Sequence, residues 1–462
     1  MLSVHLHAQI IKSYTFSQLS ANSYQRLSDS LKKNKNCPVV LANKKAQAEF
    51  EKSWKSRNER IAKDLDNNNY IKDNVVYPYI EAIVQELVSN NTQLIPYKVT
   101  VLLDRTEVAN ATSFGEHIIA VNAGIVISAQ NKEELSLYIA HELAHDILKH
   151  TEQAMKAHAE IIVSDDYKES LKNVLSSKYG RYSQLMKITE SMSFDRNRHS
   201  RYSEQAADSL AILLVKNSNI SFDAASFLNL DTMGNQYQRK LSQGVRPRLN
   251  GLGITVDENW FMKRSRGLSA AKYNFKDISS KNDSLKTHPD CRSRYEHTLA
   301  QSSSTPVKTA IPKNVKDAAF EIAIMDLYVN RNITRCFYRL MQEKEAYENL
   351  PIYDFMSHAL LNSLLVSVKD MERFNVLRIR KKEDVSPDYF ELQNFLEQIP
   401  EKNLAESCAQ LNKAPAPGKE EQGLIEYLQM MSTDNADKKT AVKSHTKNFK
   451  DSFPSSIYLE LF

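Results

Sequence analysis

The spacing of apolar residues predicts a chain of long helices interrupted by a small sheet. Over residues 44–90, apolar side chains recur three and four positions apart, as in amphipathic helices, and the polar run SNNTQ (89–93) predicts where this pattern ends. The runs YKVTVLLD (97–104) and HIIAVNAG (117–124) then predict two short strands, separated by a loop that contains Gly115. Two short strands ahead of a helix indicate a small sheet.

The most clearly marked helix follows these strands. Asn131 stands at the N-cap position and Glu134 follows three residues later, as in a capping box. Apolar residues then recur every four positions and predict one buried stripe, formed by Leu135, Ile139, Leu143 and Ile147. The segment HELAHDILKH (141–150) therefore belongs to a helix.

Helices are predicted for most of the remaining chain. Residues 151–200 are polar and rich in helix formers, and RYSEQAADSLAILLVKN (201–217) predicts a second strong helix. Its predicted apolar stripe consists of Ala206, Leu210, Leu213 and Leu214. Residues 231–286 show no regular period and predict an irregular surface excursion. From residue 314 onward, amphipathic segments alternate with short polar breaks, which resembles helix-hairpin repeats without a fixed period.

The composition supports a mainly α protein with a small β-sheet. Hydrophobic residues make up 42% and charged residues 25%, which are ordinary values, while only 10 glycines and 13 prolines favour helices over many tight turns. The length of 462 residues exceeds the size at which single cores stop growing, so we expect more than one domain. The net charge of +5 is too balanced to indicate a nucleic-acid partner.

The N-terminal segment and the cysteines give less information about function than the sequence motifs do. Residues 1–60 carry eleven Lys or Arg and four Asp or Glu, which predicts a basic, solvated helical segment. The four cysteines are not arranged as C-x-x-C, which argues against a thiolate zinc site or a redox dithiol. Because no apolar run reaches the ~18 residues of a membrane-spanning helix, we expect no transmembrane segment. We expect a cytoplasmic protein, or a periplasmic one if a signal peptide precedes this sequence.

Two histidines of HELAHDILKH have the spacing of metal ligands. His141 and His145 lie four residues apart and share one helix face, while Glu142 is displaced by one step around the axis. Neutral imidazoles suit Zn²⁺, but an open catalytic site needs a third protein ligand. The alternative interpretation is a polar helix face without a metal, so a third ligand elsewhere in the chain is the discriminating feature.

The third ligand is predicted on the second strong helix. In the metzincin pattern, a glycine and a histidine would occupy the positions of Leu148 and Thr151, so that class is excluded. His150 is then interpreted as a structural histidine at the helix end. Glu204 followed by Asp208 one turn later is the gluzincin arrangement. In it, Glu204 completes the ligand set and Asp208 accepts the spare N–H of a ligand histidine.

Four segments, in this order, resemble those of one enzyme family. They are VANATSFGEHIIAVNAGIV (108–126), NKEELSLYIAHELAHDILKH (131–150), RYSEQAAD (201–208) and THPDCRSR (287–294). Together they resemble the gluzincin family of zinc metallopeptidases, M48, that contains the heat-shock protease HtpX and the CAAX prenyl protease. The membrane-embedded members of that family carry spanning helices, which this sequence lacks.

The resemblance implies a zincin-like metalloendopeptidase that holds one Zn²⁺ per chain and cleaves a protein or peptide substrate. It implies metal ligands at His141, His145 and Glu204. Glu142 is then the general base, and His288 and Arg294 lie near the site, where they hold substrate or stabilise the oxyanion. If strand 117–124 lies at a sheet edge, it can add an extended peptide as a further strand.

The predicted domain organisation follows the positions of these motifs. It comprises a basic helical segment (1–60), the metallopeptidase domain (61–300), a Ser- and Pro-containing linker (301–314) and an α-helical, repeat-like domain (315–462). Three functional alternatives remain. The protein is an active protease, for example in protein quality control; a catalytically silent protein whose helical domain is a binding or chaperone module; or a protease whose residues 315–462 bind a protein partner.

Overall fold

The structure, a computed structural model, confirms a mainly helical protein with a small β-sheet. It describes residue 16 and residues 24–34, 36–177, 179–234, 236–254, 256–262, 291–414, 416–433 and 437–461. For residues 183–184 and 186–200 it describes only the backbone. The predicted irregular stretch 231–286 and the predicted site residue His288 therefore lie partly or wholly outside the described residues.

Helices α1 to α11 lie before residue 300 and include the two helices that carry the candidate ligands. They are Gln25–Lys33 (α1), Lys44–Asp66 (α2), Val76–Ser89 (α3), Ala123–Ser128 (α4), Lys132–Ile147 (α5), His150–Val163 (α6), Asp165–Ser176 (α7), Arg181–Asn217 (α8), Ala225–Gly234 (α9), Val245–Gly251 (α10) and Cys291–Thr298 (α11). Short 3-10 helices follow at Glu258–Trp260 and Leu299–Gln301. The best-marked predicted helix is thus α5, and it packs against α8.

Within the described residues, the sheet has four strands in the order β1-β2-β4-β3. They are Tyr70–Ile71 (β1), Thr100–Asp104 (β2), Ala111–Gly115 (β3) and Ile118–Asn122 (β4). β2 pairs with β4 in parallel, whereas β1 and β3 run antiparallel to their neighbours. The two predicted strands correspond to β2 and β4. The segment around Gly115, which was predicted to be a loop, contributes β3 instead.

The chain reversal between β3 and β4 explains this difference. Gly115, Glu116 and His117 all have positive φ angles, of 80°, 48° and 65°, so the backbone turns back within three residues. β3 can therefore pair with β4 and cover its outer side. The condition under which strand 117–124 could add a peptide, a position at the sheet edge, is not met, because β4 is central and β3 forms one of the two edges.

The buried face of α8 also differs from the prediction. Of the four residues in the predicted stripe, Leu214 is buried and Leu210 half-buried, but Ala206 and Leu213 are exposed. The face that meets α5 carries Ala207 and Ala211, next to the two acidic residues of the candidate site. Small alanines allow the two helices to approach closely, so the contact with α5 decides the orientation of α8.

Helices α12 to α20 form the C-terminal part, from here on called the tail (residues 313–461). They are Lys313–Val329 (α12), Ile333–Gln342 (α13), Lys344–Tyr347 (α14), Pro351–Lys369 (α15), Arg373–Leu377 (α16), Pro387–Gln398 (α17), Glu401–Leu411 (α18), Lys419–Ser432 (α19) and Lys438–Ser452 (α20). Further 3-10 helices lie at Lys382–Asp384 and Ile457–Leu461. Two helices begin at prolines, whose missing N–H is not needed in a first turn. Whether the helices form a true repeat stays a prediction.

The tail packs directly on the sheet and on the helices before residue 300. Helix α12 lies against α4 and α3, and buried apolar residues of both parts belong to one continuous cluster. The Lys316 ammonium donates to the carbonyl oxygens of Ile127 and Ala129, at 3.2 and 2.7 Å, and so caps the end of α4. The tail therefore shares its core with the rest of the molecule.

The predicted linker 301–314 is also fastened along its length. Ser303 N–H donates to the carbonyl of Phe222 at 2.8 Å, and Lys132 N–H donates to the carbonyl of Thr309 at 2.8 Å. Thr309 in turn donates its backbone N–H to the Glu133 carboxylate at 2.7 Å. These contacts argue against a freely separable tail, and the division into independently folding units stays a prediction. Within the described ranges, none of the helices combines the length and the apolar character that crossing a bilayer requires.

Candidate metal centre

Helix α5 positions two of the candidate ligands. The Asn131 side chain accepts the backbone N–H of Glu134 at 2.9 Å, which confirms Asn131 as the N-cap. The predicted stripe is buried at Leu135, Ile139 and Leu143, and Ile147 packs against the same core. With that stripe held in the core, the next helix face, which carries the two histidines, is directed towards α8.

The structure brings the three predicted ligands together. His141 and His145 on α5 meet Glu204 on α8, and one ligand atom from each residue lies within 4.8 Å of the others. Nε2 of His141 lies 3.0 Å from Nε2 of His145 and 3.3 Å from the Glu204 carboxylate. Nε2 of His145 lies 3.4 Å from the other carboxylate oxygen of Glu204.

These spacings fit a tetrahedral metal ion. Metal–ligand bonds of about 2.0 to 2.2 Å, as Zn²⁺ forms with His and Glu, give a tetrahedron with edges of about 3.3 to 3.6 Å. The observed separations of 3.0, 3.3 and 3.4 Å are close to those edges. His141 and Glu204 are buried and His145 is partly buried. Two imidazole nitrogens and one carboxylate oxygen in a protected position are a donor set suited to Zn²⁺.

Asp208 holds His141 from the opposite side. The Asp208 carboxylate lies 3.0 Å from Nδ1 of His141, one helical turn beyond Glu204 on α8. With the Nδ1 proton donated to Asp208, Nε2 is left unprotonated and free to bind a metal. This is the contact that the spacing of Glu204 and Asp208 predicted.

Charged neighbours also shift the pKa values of His141 and Asp208. Burial by itself lowers the pKa of His141, but hydrogen bonds to Asp208 and Glu204 outweigh burial and raise that pKa to about 9. Although burial favours the neutral acid, hydrogen bonds and charges from His141 and Arg294 hold the pKa of Asp208 below its usual value. Because a metal binds the neutral imidazole, metal binding at Nε2 competes with protonation of His141.

Arg294 on α11 binds Asp208 rather than facing open space. Its Nε and Nη2 donate to the two carboxylate oxygens of Asp208 at 2.8 and 2.5 Å, and its guanidinium stacks on Phe227 at 4.5 Å. Only 5% of Arg294 is exposed. The guanidinium edge that carries Nε and Nη2 is directed at Asp208 and is not open to a substrate, and the predicted role in holding substrate or stabilising an oxyanion stays a prediction. The predicted position of Arg294 near the site agrees with the structure.

His150 was interpreted from the sequence as a structural residue, and its contact with a ligand was missed. Nδ1 of His150 lies 2.8 Å from Nδ1 of His145. Burial, followed by the charge of His145, lowers the pKa of His150 to about 4, so it is neutral at pH 7 and can accept the Nδ1 proton of His145. Lys149 has a φ of 54°, which ends α5 and folds His150 back towards the site. A five-residue spacing on a regular helix would not bring the two rings together.

The end of β3 is joined to α5, the helix of the two candidate histidine ligands, by a contact that the sequence analysis also missed. His117 donates its backbone N–H to Asp146 at 2.9 Å, and its Nδ1 lies 2.8 Å from the other Asp146 oxygen. Arg57 donates to the carbonyls of Phe114 and Gly115 at 3.0 and 2.7 Å. The end of β3 is therefore fixed to α5, on the residue that follows His145.

Glu142, the predicted general base, lies on α5 directly after the first ligand, and it is 9% exposed. On a helix, one residue corresponds to a rotation of about 100°, so its carboxylate projects beside the His141 face. His288 lies outside the described residues, so its predicted place near the site stays a prediction.

Comparison with known proteins agrees with this geometry. The model of peptidase family M48 matches residues 76–301, which include α5, α8 and α11. This match confirms the family that the four ordered sequence motifs predicted. A search of curated proteins finds no match to the chain.

Proposed function

Because the chain belongs, through residues 76–301, to the metallopeptidase family M48, we propose that it is a zinc-dependent endopeptidase acting on extended protein segments. The observation that carries this proposal is the trio His141, His145 and Glu204, whose ligand atoms are spaced like the edges of a zinc tetrahedron. The zinc identity, the endopeptidase mechanism and a role in protein quality control all belong to this proposal.

Several side chains have separate roles in the proposed reaction. A zinc ion held by the trio would supply Lewis acidity towards a peptide carbonyl and a water molecule. Glu142 accepts the proton of the attacking water on its carboxylate and then delivers it to the leaving amine. Asp208 keeps the proton of His141 on Nδ1, and His150 accepts the Nδ1 proton of His145. Arg294 acts through Asp208 and is a positioning residue.

The proposed substrate-binding element is β3. It forms one edge of the sheet, packs against α5 and α6, and its first four residues are only half-buried. A substrate segment that adds as a further strand gains main-chain hydrogen bonds along an edge of this kind. Extended, unstructured segments are therefore the expected substrates. A folded domain would first have to expose such a segment.

The direct test is the cleavage of casein by the purified protein. We expect about one zinc per chain by elemental analysis, loss of cleavage when a chelator removes the metal, and recovery when zinc is returned. A protein that holds zinc but leaves casein intact would favour the alternative of a binding module. In that case the tail is the candidate binding surface, because it carries three exposed apolar residues. Their exposed fractions are 92% for Met371, 54% for Phe374 and 43% for Ile379.

Replacing Asp208 by alanine is expected to weaken zinc binding by about ten- to a hundredfold, the usual cost of losing a partner behind a metal ligand. The alanine removes the acceptor of the His141 Nδ1 proton and also leaves Arg294 buried without its carboxylate. The dissociation constant can be measured by competition with a fluorescent zinc chelator. Asp208→Asn, which keeps an oxygen acceptor, should bind zinc more tightly than Asp208→Ala. Equal affinity in the wild type and both variants would contradict the role of Asp208.

A further inference from the structure

The loop between β2 and β3, residues 105–110, is tied to the tail by two buried ion pairs of opposite polarity. Arg105 pairs with Asp326 of α12 at 2.8 Å, and both side chains are at most 10% exposed. Glu107 pairs with Arg335 of α13, where the exposed fractions are 5% and 1%. Burial raises the pKa of Asp326 to about 6, although the charge of Arg105 acts in the opposite direction.

The pair Glu107–Arg335 has the stronger geometry of the two. Nε and Nη2 of Arg335 donate to the two oxygens of Glu107 at 2.7 and 2.8 Å, and Nη2 also donates to Gln236 at 3.0 Å. A bidentate pair of this kind defines position and orientation together. Burial favours the neutral acid, but Arg335 and then Arg339 lower the pKa of Glu107 below its usual value. The carboxylate of Glu107 is therefore charged and held in one place.

The position of Glu107 also determines where β3 begins, because the backbone of loop 105–110 is held by close contacts. A Cβ at Gly124 would lie 2.1 Å from the carbonyl oxygen of Glu107, so the loop rests directly on the start of α4. Gly124 N–H donates to the Thr106 carbonyl at 3.0 Å, and Asn122 N–H donates to the Asn110 carbonyl at 3.1 Å. Asn110 is followed at once by Ala111, the first residue of β3.

Both ends of the edge strand are therefore held from outside the sheet. The end at Gly115 is fixed by Arg57 and, through His117, by Asp146 of the active-site helix. The beginning at Ala111 continues from the loop that the tail holds through Glu107 and Arg335. The loop is short, and its ion-pair partners belong to residues more than 200 positions away in the sequence.

We propose that Glu107 and Arg335 are positioning residues through which the tail sets the placement of the substrate-binding edge strand. The proposal rests on the proposed function in one respect, namely that β3 is the strand on which an extended peptide docks. The tail then acts on catalysis without touching the metal. Loss of the pair leaves the zinc ligands in place and loosens the strand beside them.

The test variant is Arg335→Gln, because Arg339 still lies 3.5 Å from Glu107 and leaves that carboxylate a neighbouring positive charge. Arg335→Lys keeps the charge but not the bidentate contact and should give a weaker effect. The matched control is Arg248→Gln, which removes another buried arginine that joins the N-terminal part to the tail. Nη2 of Arg248 donates to Ser242 and Glu345, at 3.2 and 2.6 Å, and both residues lie outside the loop 105–110.

Two measurements on the full-length, zinc-loaded protein decide the question. Hydrogen–deuterium exchange should become faster at residues 105–115 in Arg335→Gln than in Arg248→Gln. With an unstructured peptide as substrate, kcat/KM should fall by about ten- to a hundredfold, mostly through a higher KM, as misplacement of a binding element predicts. Zinc content should match the wild type, and Arg335→Lys should recover part of the lost kcat/KM.

The exchange measurement separates this proposal from the proposed function, since it needs no peptidase activity. Unchanged exchange at residues 105–115 in a folded Arg335→Gln protein would overturn the positioning role, whatever the activity. If Arg335→Gln and Arg248→Gln lower the thermal midpoint equally and have equal KM values, the Glu107–Arg335 pair contributes only to stability and does not position β3. If Arg335→Gln does not fold, the same comparison is made with Arg335→Lys, and failure of that variant to fold also counts against positioning.

Discussion

Replacing Glu142 by glutamine is expected to reduce peptide hydrolysis by about 100- to 10,000-fold, the range for loss of a general acid–base group. Glutamine has nearly the same shape but cannot take up the proton of the attacking water. Because Glu142 is not one of the three ligands, zinc content should stay at the wild-type value. Elemental analysis and hydrolysis of a fluorogenic peptide, both on the same preparation, measure the two quantities.

The matched control for this variant is Glu133→Gln on the same helix. Glu133 lies nine residues before Glu142, about 14 Å along the helix axis, and binds Thr309 near the protein surface. Its replacement should leave the hydrolysis rate close to that of the wild type. Retained activity in Glu142→Gln would refute the proposed base, whereas lost zinc would show that the substitution disturbs the ligands.

A chain that ends at residue 305 is expected to be insoluble or unfolded. Truncation removes α12, which covers α4 and α3, and exposes apolar surface that belongs to the common core. It also leaves Arg105 and Glu107 without Asp326 and Arg335. Breaking one buried pair costs about 3–5 kcal/mol, and a protein is stable by about 5–15 kcal/mol in total, so two such losses are decisive. Circular dichroism and gel filtration measure the outcome.

The control for truncation is co-expression of two separate fragments, residues 1–305 and residues 306–462. If the tail completes the core, the two fragments should co-purify, bind zinc and cleave a peptide together. The linker predicted at residues 301–314 implies the opposite result, a truncated chain that folds by itself and still cleaves short peptides. A soluble, zinc-binding fragment 1–305 with wild-type peptide cleavage would restore that prediction and make the tail a separable module.

Much of the candidate site follows from local patterns. The stripe of Leu135, Ile139 and Leu143 defines α5 and its buried face, and with it the direction of the two histidines. The spacing of Glu204 and Asp208 on a second helix supplies the remaining ligand and the partner of His141. Regular helices make such predictions possible, because a residue's number along the helix fixes its direction around the axis.

Other features depend on where the chain leaves regular geometry. Positive φ angles at Gly115, Glu116 and His117 create β3 and move the sheet edge away from β4. Lys149 in the left-handed region brings His150 back to His145. Only glycine among these four residues signals such a conformation in a sequence, and a single glycine does not specify which strand it will form.

The sequence by itself determined the two helices, the three candidate ligands and the family, because each rests on residues a few positions apart or on motifs in a definite order. Only the tertiary structure decided that Arg294 binds Asp208, that α8 buries Ala207 and Ala211, and that the tail joins the core. These are contacts between residues far apart in the chain. Their energies depend on burial and complementary charge after folding, and periodicity along one segment does not encode them.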